Sequence, residues 1–351
     1  MRNISKTINA WREIFKVGKV KKKLSMVADW FRSNILRVLD KEGWKDFFVV
    51  PRSIDELMDH FSYTDKEYMM TIINALLSDK TIARIKDGKY QILKPLEANG
   101  VKIPDMFEKS TRDTFTDYAD AVPNRLRGEY EEFSGAINLF NWDDWLTSYA
   151  YEAIRRAAFA FTPIALEKPG RFLDGGCGTG VGTSAIWLYY YQKGHIHPQT
   201  NLKMYGIDND EDFINIAKEE FDRITARHKV IEKNEIIQYK ELFPEFKVGS
   251  VSKIPFEDEF FDYVFMSQVL HWTDAPKSIK EAFRVLRPGG IYFGTNTIVP
   301  HTNPYLSIHI KVAEGAHGSF TKKEMTHWLK DAGFSKIKFT SPVTIFRAEK
   351  I

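Results

Sequence analysis

Cysteine is almost missing, because Cys177 stands alone among 351 residues. That excludes an intramolecular disulfide and a zinc site of cysteine type, and it fits a reducing, cytoplasmic compartment. Long apolar runs are missing as well. No stretch is long enough to span a bilayer, and Met1 to Lys23 has no uninterrupted apolar core of signal-peptide kind, so a soluble protein is expected. Net charge is low, at +3, and basicity belongs to the leader, not to the fold. With 43% hydrophobic and 28% charged residues the chain is neither disordered nor fibrous, and its length predicts two domains, each with its own core.

The uneven charge comes first along the chain. Arg2, Lys6, Arg12, Lys16, Lys19, Lys21, Lys22 and Lys23 face a single acid, Glu13, before residue 24. Ile4, Ile8, Trp11 and Phe15 recur among them at helical spacing, so residues 1–25 read as a basic amphipathic leader. Such a stripe can pack on its own protein or a second subunit, the reading its shortness favours, or lie on an anionic membrane surface.

Residues 26–100 read as compact helices followed by a hairpin. Helices are predicted over Ala28 to Lys41, over Ser53 to Phe61 with Ser53 as N-cap and Glu56 three residues on, and over Asp65 to Asp79. Ile82 to Ile85 and Lys89 to Leu93 then flank the tight turn Asp87-Gly88. The pattern looks like a winged helix. Its third helix carries Asp65, Glu67 and Asp79 against Lys66 and Lys80, with no arginine, which does not suit phosphate contact. A dimerisation role, giving a homodimer, is expected in place of nucleic-acid binding. Residues 101–168 are an aromatic-rich helical linker or cap, including Phe115, Tyr118, Tyr130, Phe133, Phe140, Trp142 and Trp145. Most of these are expected in core or interdomain packing, and some could wall a pocket.

The stretch Arg171-Phe172-Leu173-Asp174-Gly175-Gly176-Cys177-Gly178-Thr179-Gly180 organises residues 169–351. A short apolar strand leads into glycines that let the backbone turn tightly against a ligand before a helix begins near Val181, as a nucleotide-type cradle does. A second strand, Leu202 to Ile207, ends in Asp208, which at a strand tip can accept hydrogen bonds from both ribose hydroxyls of a nucleotide. Asp208 could instead cap the helix that follows, although Asn209, Asp210 and Glu211 are equally placed for that. Glu245 to Val248 reads as a third strand, Phe261 to Met266 as a fourth, Ala275 to Leu286 as a helix and Ile291 to Gly294 as a fifth strand. The alternation is doubly wound α/β, with ligands expected at the carboxyl ends of the strands. A dinucleotide fingerprint is disfavoured: Val181 stands where a third small residue belongs, and Asp174 would repel a pyrophosphate.

Four pieces in order carry a resemblance: Asp174 to Gly180, Gly206-Ile207-Asp208, Ile254-Pro255-Phe256 with Phe260-Phe261-Asp262, and Arg284 to Gly290. From Pro169 to about Lys350 the chain resembles the class I S-adenosylmethionine-dependent methyltransferases. The resemblance implies a Rossmann-like seven-stranded methyltransferase sheet and S-adenosyl-L-methionine as cofactor. Gly176, Gly178 and Gly180 would bring backbone against it, Asp174 would face its cationic amino-acid end, Asp208 its ribose, and Ser250 and Val251 its adenine. Asn209, Ser267 and Gln268 complete the cofactor-facing candidates. Where Ser250 stands the family usually has aspartate.

The two-domain order resembles winged-helix small-molecule O-methyltransferases, which use a histidine in a Leu-His-Asp-Trp stretch. Here the stretch is Leu270-His271-Trp272, and a His-Trp pair also resembles the quinone and small-acid methylators, in which it can be structural or line the cofactor site. His271 is the candidate base toward a hydroxyl of a small-molecule acceptor. The segment from Asn296 to Gly318, with His301, His309 and His317, is expected to be a loop that closes over the acceptor. Two other functions fit the sequence. One is methylation of an isoprenoid quinone or lipid approached through the leader, and the other is a DNA-binding regulator with S-adenosylmethionine as ligand only.

Overall fold

The computed structural model describes residues 28–96, 109–130, 149–162, 170–192, 196, 202–227, 240–296, 298–299, 304–313, 316–340 and 345–351. The leader, together with Phe133, Phe140, Trp142, Trp145 and His301, lies outside the described residues. The chain divides into two compact units, one drawing on Lys21–Phe133 and Val299–Ser319, the other on Ser134–Ile298 and Phe320–Ile351. Among the described residues no helix is long and apolar enough to cross a membrane.

The first unit begins with helix α1 (28–41) and the short α2 (Trp44–Phe47), then α3 (Ile54–Phe61) and α4 (Lys66–Ser78). Ser53 caps α3 with the reciprocal bond to Glu56 that the spacing predicted. Strands β1 (Ile82–Arg84) and β2 (Tyr90–Ile92) pair antiparallel, and Arg52 adds a bridge to Tyr90. Asp87 and Gly88 both take positive φ, 61° and 70°, which a tight hairpin turn requires. Phe115 and Tyr118 of α5 (Lys109–Asp120) are buried, as expected of core aromatics, whereas Tyr130 is exposed. The two acids that flank α4 are structural. Asp65 accepts from Tyr68 N at 2.7 Å and pairs with Arg125, and Asp79 accepts from Arg32 Nε at 2.5 Å and Tyr305 Oη at 2.7 Å.

Tyr305 belongs to the segment expected to be a loop. The structure forms a helix there, Pro304–Ile310, and packs it into this first unit. Tyr305, Ile308, His309 and Ile310 are all buried, and Tyr68 Oη donates to Ile308 O at 2.8 Å. Burial of four side chains on a seven-residue stretch explains why it folds as helix: tertiary packing outweighs its short length.

The second unit holds one seven-stranded sheet. Its strands are β3 (Gly170–Gly175), β4 (Leu202–Asp208), β5 (Glu245–Val248), β6 (Phe261–Ser267), β7 (Leu286–Thr295), β10 (Ser335–Phe339) and β11 (Ile345–Glu349), while β8 (Ile298–Val299) and β9 (Phe320–Thr321) form a separate short pair. The spatial order is β10-β11-β7-β6-β3-β4-β5, parallel except for β11, which runs antiparallel to both β7 and β10. β3 and β6 are central and buried on both faces, hence the apolar runs Phe172-Leu173 and Val264-Phe265-Met266. One face packs under the helices Ala275–Val285 and Lys322–Asp331; the other takes Phe159, whose ring stacks on Phe172 at 6.0 Å. From β3 the chain adds strands first on one side and then on the other, which opens a crevice at the carboxyl ends of β3 and β6.

One boundary differs from expectation. The helix stops at Val285, and Leu286–Thr295 is a single strand that includes Arg287-Pro288-Gly289-Gly290. Gly289, at φ 82°, donates to Lys350 O at 2.7 Å, and Lys350 N donates to Gly290 O at 3.0 Å, so the turn is tied to the sheet's last residues.

Candidate functional site

The glycine stretch leaves β3 and is held by the tip of β4. Gly176 N and Cys177 N both donate to Ile207 O, at 2.8 and 2.9 Å, and Gly178 N donates to Asp208 Oδ2 at 2.9 Å. Gly180 N closes a turn onto Cys177 O at 3.1 Å before helix Val181–Gln192 begins. These four amides are engaged within the chain. They therefore do not form the convergent array of free N–H groups with which a phosphate-binding loop grips a pyrophosphate.

The glycines are required for different reasons. At Gly176, φ is 73°, and a Cβ would lie 2.5 Å from Cγ2 of the buried Val269; at Gly180 a Cβ would lie 2.8 Å from that of Ala217. At Gly178, φ is 54°, and a Cβ would meet nothing among the described residues within 4 Å. That side of the loop faces open space next to the Asp208 carboxylate. The cradle therefore has room for a ligand where the resemblance places the cofactor's sugar and amino-acid portions.

Asp208 also accepts from Asp210 N at 3.1 Å, and burial raises its pKa. It is not the cap of helix Glu211–Arg227, since Asp210 takes that place by accepting from Asp212 N and Phe213 N. Asn209 is exposed beside it. Gly249 N donates to Asp208 O at 2.8 Å, which brings the exit loop of β5 to the tip of β4. On that loop Ser250 is exposed, with Oγ accepting from Ser252 N, and Val251 is buried in the core.

Asp174 is buried at the tip of β3. Burial pushes its pKa up to about 6, countered by Thr183 Oγ1, which donates to Oδ2 at 2.7 Å, and by the positive charge of Arg155. Neither Thr183 nor Arg155 was anticipated from sequence. A hydroxyl three residues past Gly180 on the new helix is a local signal that could have shown Thr183, whereas Arg155 lies on helix Tyr149–Phe161, with no motif around it.

Across the crevice, β6 ends in Ser267, whose Oγ lies 2.7 Å from Thr295 Oγ1 of β7, and is followed by Gln268, whose N donates to Thr295 O at 2.7 Å. Gln268 has φ 59°, a left-handed conformation that a side chain makes unfavourable. His271 follows in the 3-10 turn Leu270–Trp272, buried, with its ring 5.7 Å from that of Trp272. The structure thus brings Asp174, Gly176, Gly178, Gly180, Asp208, Asn209, Ser250, Val251, Ser267, Gln268 and His271 to one edge of the sheet. Two carboxylates beside an open cradle suit a cationic nucleoside better than an anionic one.

A family model described as a methyltransferase domain matches residues 173–294. This chain carries a methyltransferase domain. The match begins in β3 and ends in β7, so it spans the candidate residues from Asp174 to His271. A Mycolicibacterium smegmatis protein named "Probable S-adenosylmethionine-dependent methyltransferase" is 26% identical over 187 residues, which are 51% of this chain and 58% of the relative. The chain therefore spans little more than half of that relative's length. Among solved structures the fold is similar to the CurJ carbon methyltransferase (TM-score 0.68, 14% identity, 95% of this chain and 93% of the other). It is also similar to an O-methyltransferase family 2 protein from Planctomyces limnophilus (TM-score 0.59, 15% identity, 95% and 96%), solved in complex with apigenin. The domain and these likenesses make the sheet a class I methyltransferase fold and imply S-adenosylmethionine as its cofactor.

Proposed function

We propose that the chain transfers the methyl group of S-adenosylmethionine to a small-molecule acceptor, at oxygen. The observation that carries this reading is the open side of Gly178 next to the Asp208 carboxylate, in a loop whose own amides are engaged. Asp208 would hold the ribose, Asp174 the amino-acid end, and Ser250 with Val251 would flank the adenine. Bound there, the cofactor supplies a methyl group on a positively charged sulfur. The residues at the ends of β6 and β7 then orient the acceptor and exclude water, while His271 would take the proton of the acceptor hydroxyl.

The likeness to a carbon methyltransferase, at the higher of the two TM-scores, favours a second reading with an activated carbon as acceptor. A histidine base serves either, because an acidic C–H adjacent to a carbonyl also loses a proton. The winged-helix-like unit would serve dimerisation, and the basic leader would allow peripheral membrane contact. Light scattering of the full chain with and without residues 1–25, together with vesicle co-sedimentation, tests both.

Calorimetric titration tests the cofactor assignment directly. S-adenosylhomocysteine should bind in the micromolar range, and NADH should not bind; the reverse order would sink the reading. Labelled methyl transfer to a panel of phenols and of 1,3-dicarbonyl compounds then separates oxygen from carbon.

A further inference from the structure

Asn296 follows directly on β7 and is 3% exposed, yet among the described residues neither its Nδ2 nor its Oδ1 has a hydrogen-bond partner. A primary amide offers two donors and two lone pairs, and leaving such a group buried and unpaired costs about 1–3 kcal/mol. A leucine of similar size would avoid that cost. An unpaired buried amide that is kept despite it calls for a ligand.

Its place in the sheet shows which ligand. Reading across the order β7-β6-β3-β4-β5, the groups suited to the cofactor stand at the tips of β3 and β4 and on the exit loop of β5. β6 and β7 lie on the other side of the switch point. Thr295, immediately before Asn296, is fastened to Ser267 and Gln268 at the end of β6, which fixes the backbone that presents the amide. By strand alternation Asn296 shares a face with Tyr292 and Gly294, and Tyr292 belongs to the same core cluster as Val269 and Leu270, next to His271. The amide therefore stands at the carboxyl edge, on the side where a methyl acceptor would lie.

We infer that Asn296 binds the methyl acceptor through its carboxamide, and that the acceptor presents a hydrogen-bond donor and an acceptor on adjacent positions. An enol beside a carbonyl or two neighbouring hydroxyls have that form. One would donate to Oδ1 while the other accepts from Nδ2. This inference rests on the cofactor reading above, which places the nucleoside on the β3–β5 side.

The test uses the full chain loaded with S-adenosylhomocysteine and titrated with catechol, and separately with 1,2-dimethoxybenzene, which keeps the ring and oxygens and lacks both donors. Catechol should bind at least about tenfold more tightly than its dimethyl ether, as expected for one or two hydrogen bonds in a buried site. Asn296→Leu should weaken catechol about tenfold or more, leave S-adenosylhomocysteine affinity within about twofold, and raise the melting temperature because the unpaired amide is gone. Where the leucine variant does not fold, Asn296→Ala, which also removes both polar atoms, should give the same loss of catechol. If S-adenosylhomocysteine fails to bind the unaltered protein, the cofactor reading falls and takes this inference with it. If it binds, but catechol is not held or is held equally by the variants, the assignment of Asn296 is overturned while the cofactor reading stands.

Discussion

The ends of β3 and β7 lie two strands apart in one sheet and are built in opposite ways. At the end of β3 the loop amides are engaged with Ile207, Asp208 and Cys177, and the side-chain-free face at Gly178 is open among the described residues. At the end of β7 the backbone is fastened through Thr295, but the next side chain has both polar atoms unpaired among the described residues. The first arrangement is complete without a ligand and so is stiff and pre-shaped, which lowers the ordering cost of binding. The second is completed only by something that binds. A donor common to many enzymes suits a prebuilt cradle, and an acceptor particular to one enzyme suits the end where the polar requirement is still open.

The largest expected effect breaks the prebuilt end. Asp208→Ala removes the acceptor of Gly178 N together with the proposed ribose ligand, two charge-assisted bonds of about 1.5–3 kcal/mol each, so S-adenosylhomocysteine affinity should fall about 10²-fold or more by calorimetry. His271→Ala should lower turnover about 10²-fold while cofactor affinity is unchanged; equal turnover would remove the base from the mechanism.

The glycines sharpen the comparison. Gly176→Ala forces a Cβ against Val269 and should destabilise the fold by about 2–4 kcal/mol, read as a lower urea midpoint. Gly178→Ala meets no atom of the described residues within 4 Å, so only the left-handed backbone cost of about 1–2 kcal/mol applies, yet cofactor affinity should drop about tenfold or more because the methyl enters the cradle. If both variants lose stability equally, the open side of Gly178 is not a binding surface.

The last effect concerns pH. The folded-state pKa of Asp174 is raised from 3.8 to about 6, so the folded chain holds that proton more tightly than the unfolded chain does. Its contribution to stability is therefore largest below pH 4, and about 3 kcal/mol of it is lost as pH rises to 6 and beyond. Asp174→Asn should remove that decline, giving a flatter melting profile between pH 4 and 7. A cationic ligand at Asp174 favours the ionised form. Cofactor affinity should accordingly rise with pH through about 6 in the unaltered protein and not in the variant.

Much of this site was legible because its local chemistry repeats in the sequence. Glycines at alternate positions after an apolar run, and an acid closing the next strand, have few alternative explanations, and the structure joins them through the bonds to Ile207 and Asp208. Arg155 was not legible because its role depends on where a distant helix lands, and nothing in Tyr-Glu-Ala-Ile-Arg-Arg marks one arginine over the other. Asn296 looked like the polar start of a loop, since a sequence cannot show that an amide lacks partners. Helix Pro304–Ile310 was read as loop because its seven residues are too few to show a helical period.

That helix has a consequence for any attempt to separate the two units. The chain leaves the methyltransferase unit after Ile298, contributes Val299–Ser319 to the N-terminal unit and returns at Phe320, so neither unit is a continuous segment. A chain begun at Ser134 would keep Tyr305, Ile308, His309 and Val312 but lose Asp79, Tyr68, Phe31 and Phe115, the partners that bury and bond them. The excised enzyme would carry an apolar, sticky excursion of about twenty residues between β8 and β9. Deletion of the N-terminal unit therefore creates a new surface as well as removing an old one, and a loss of activity after such a deletion would say little about catalysis.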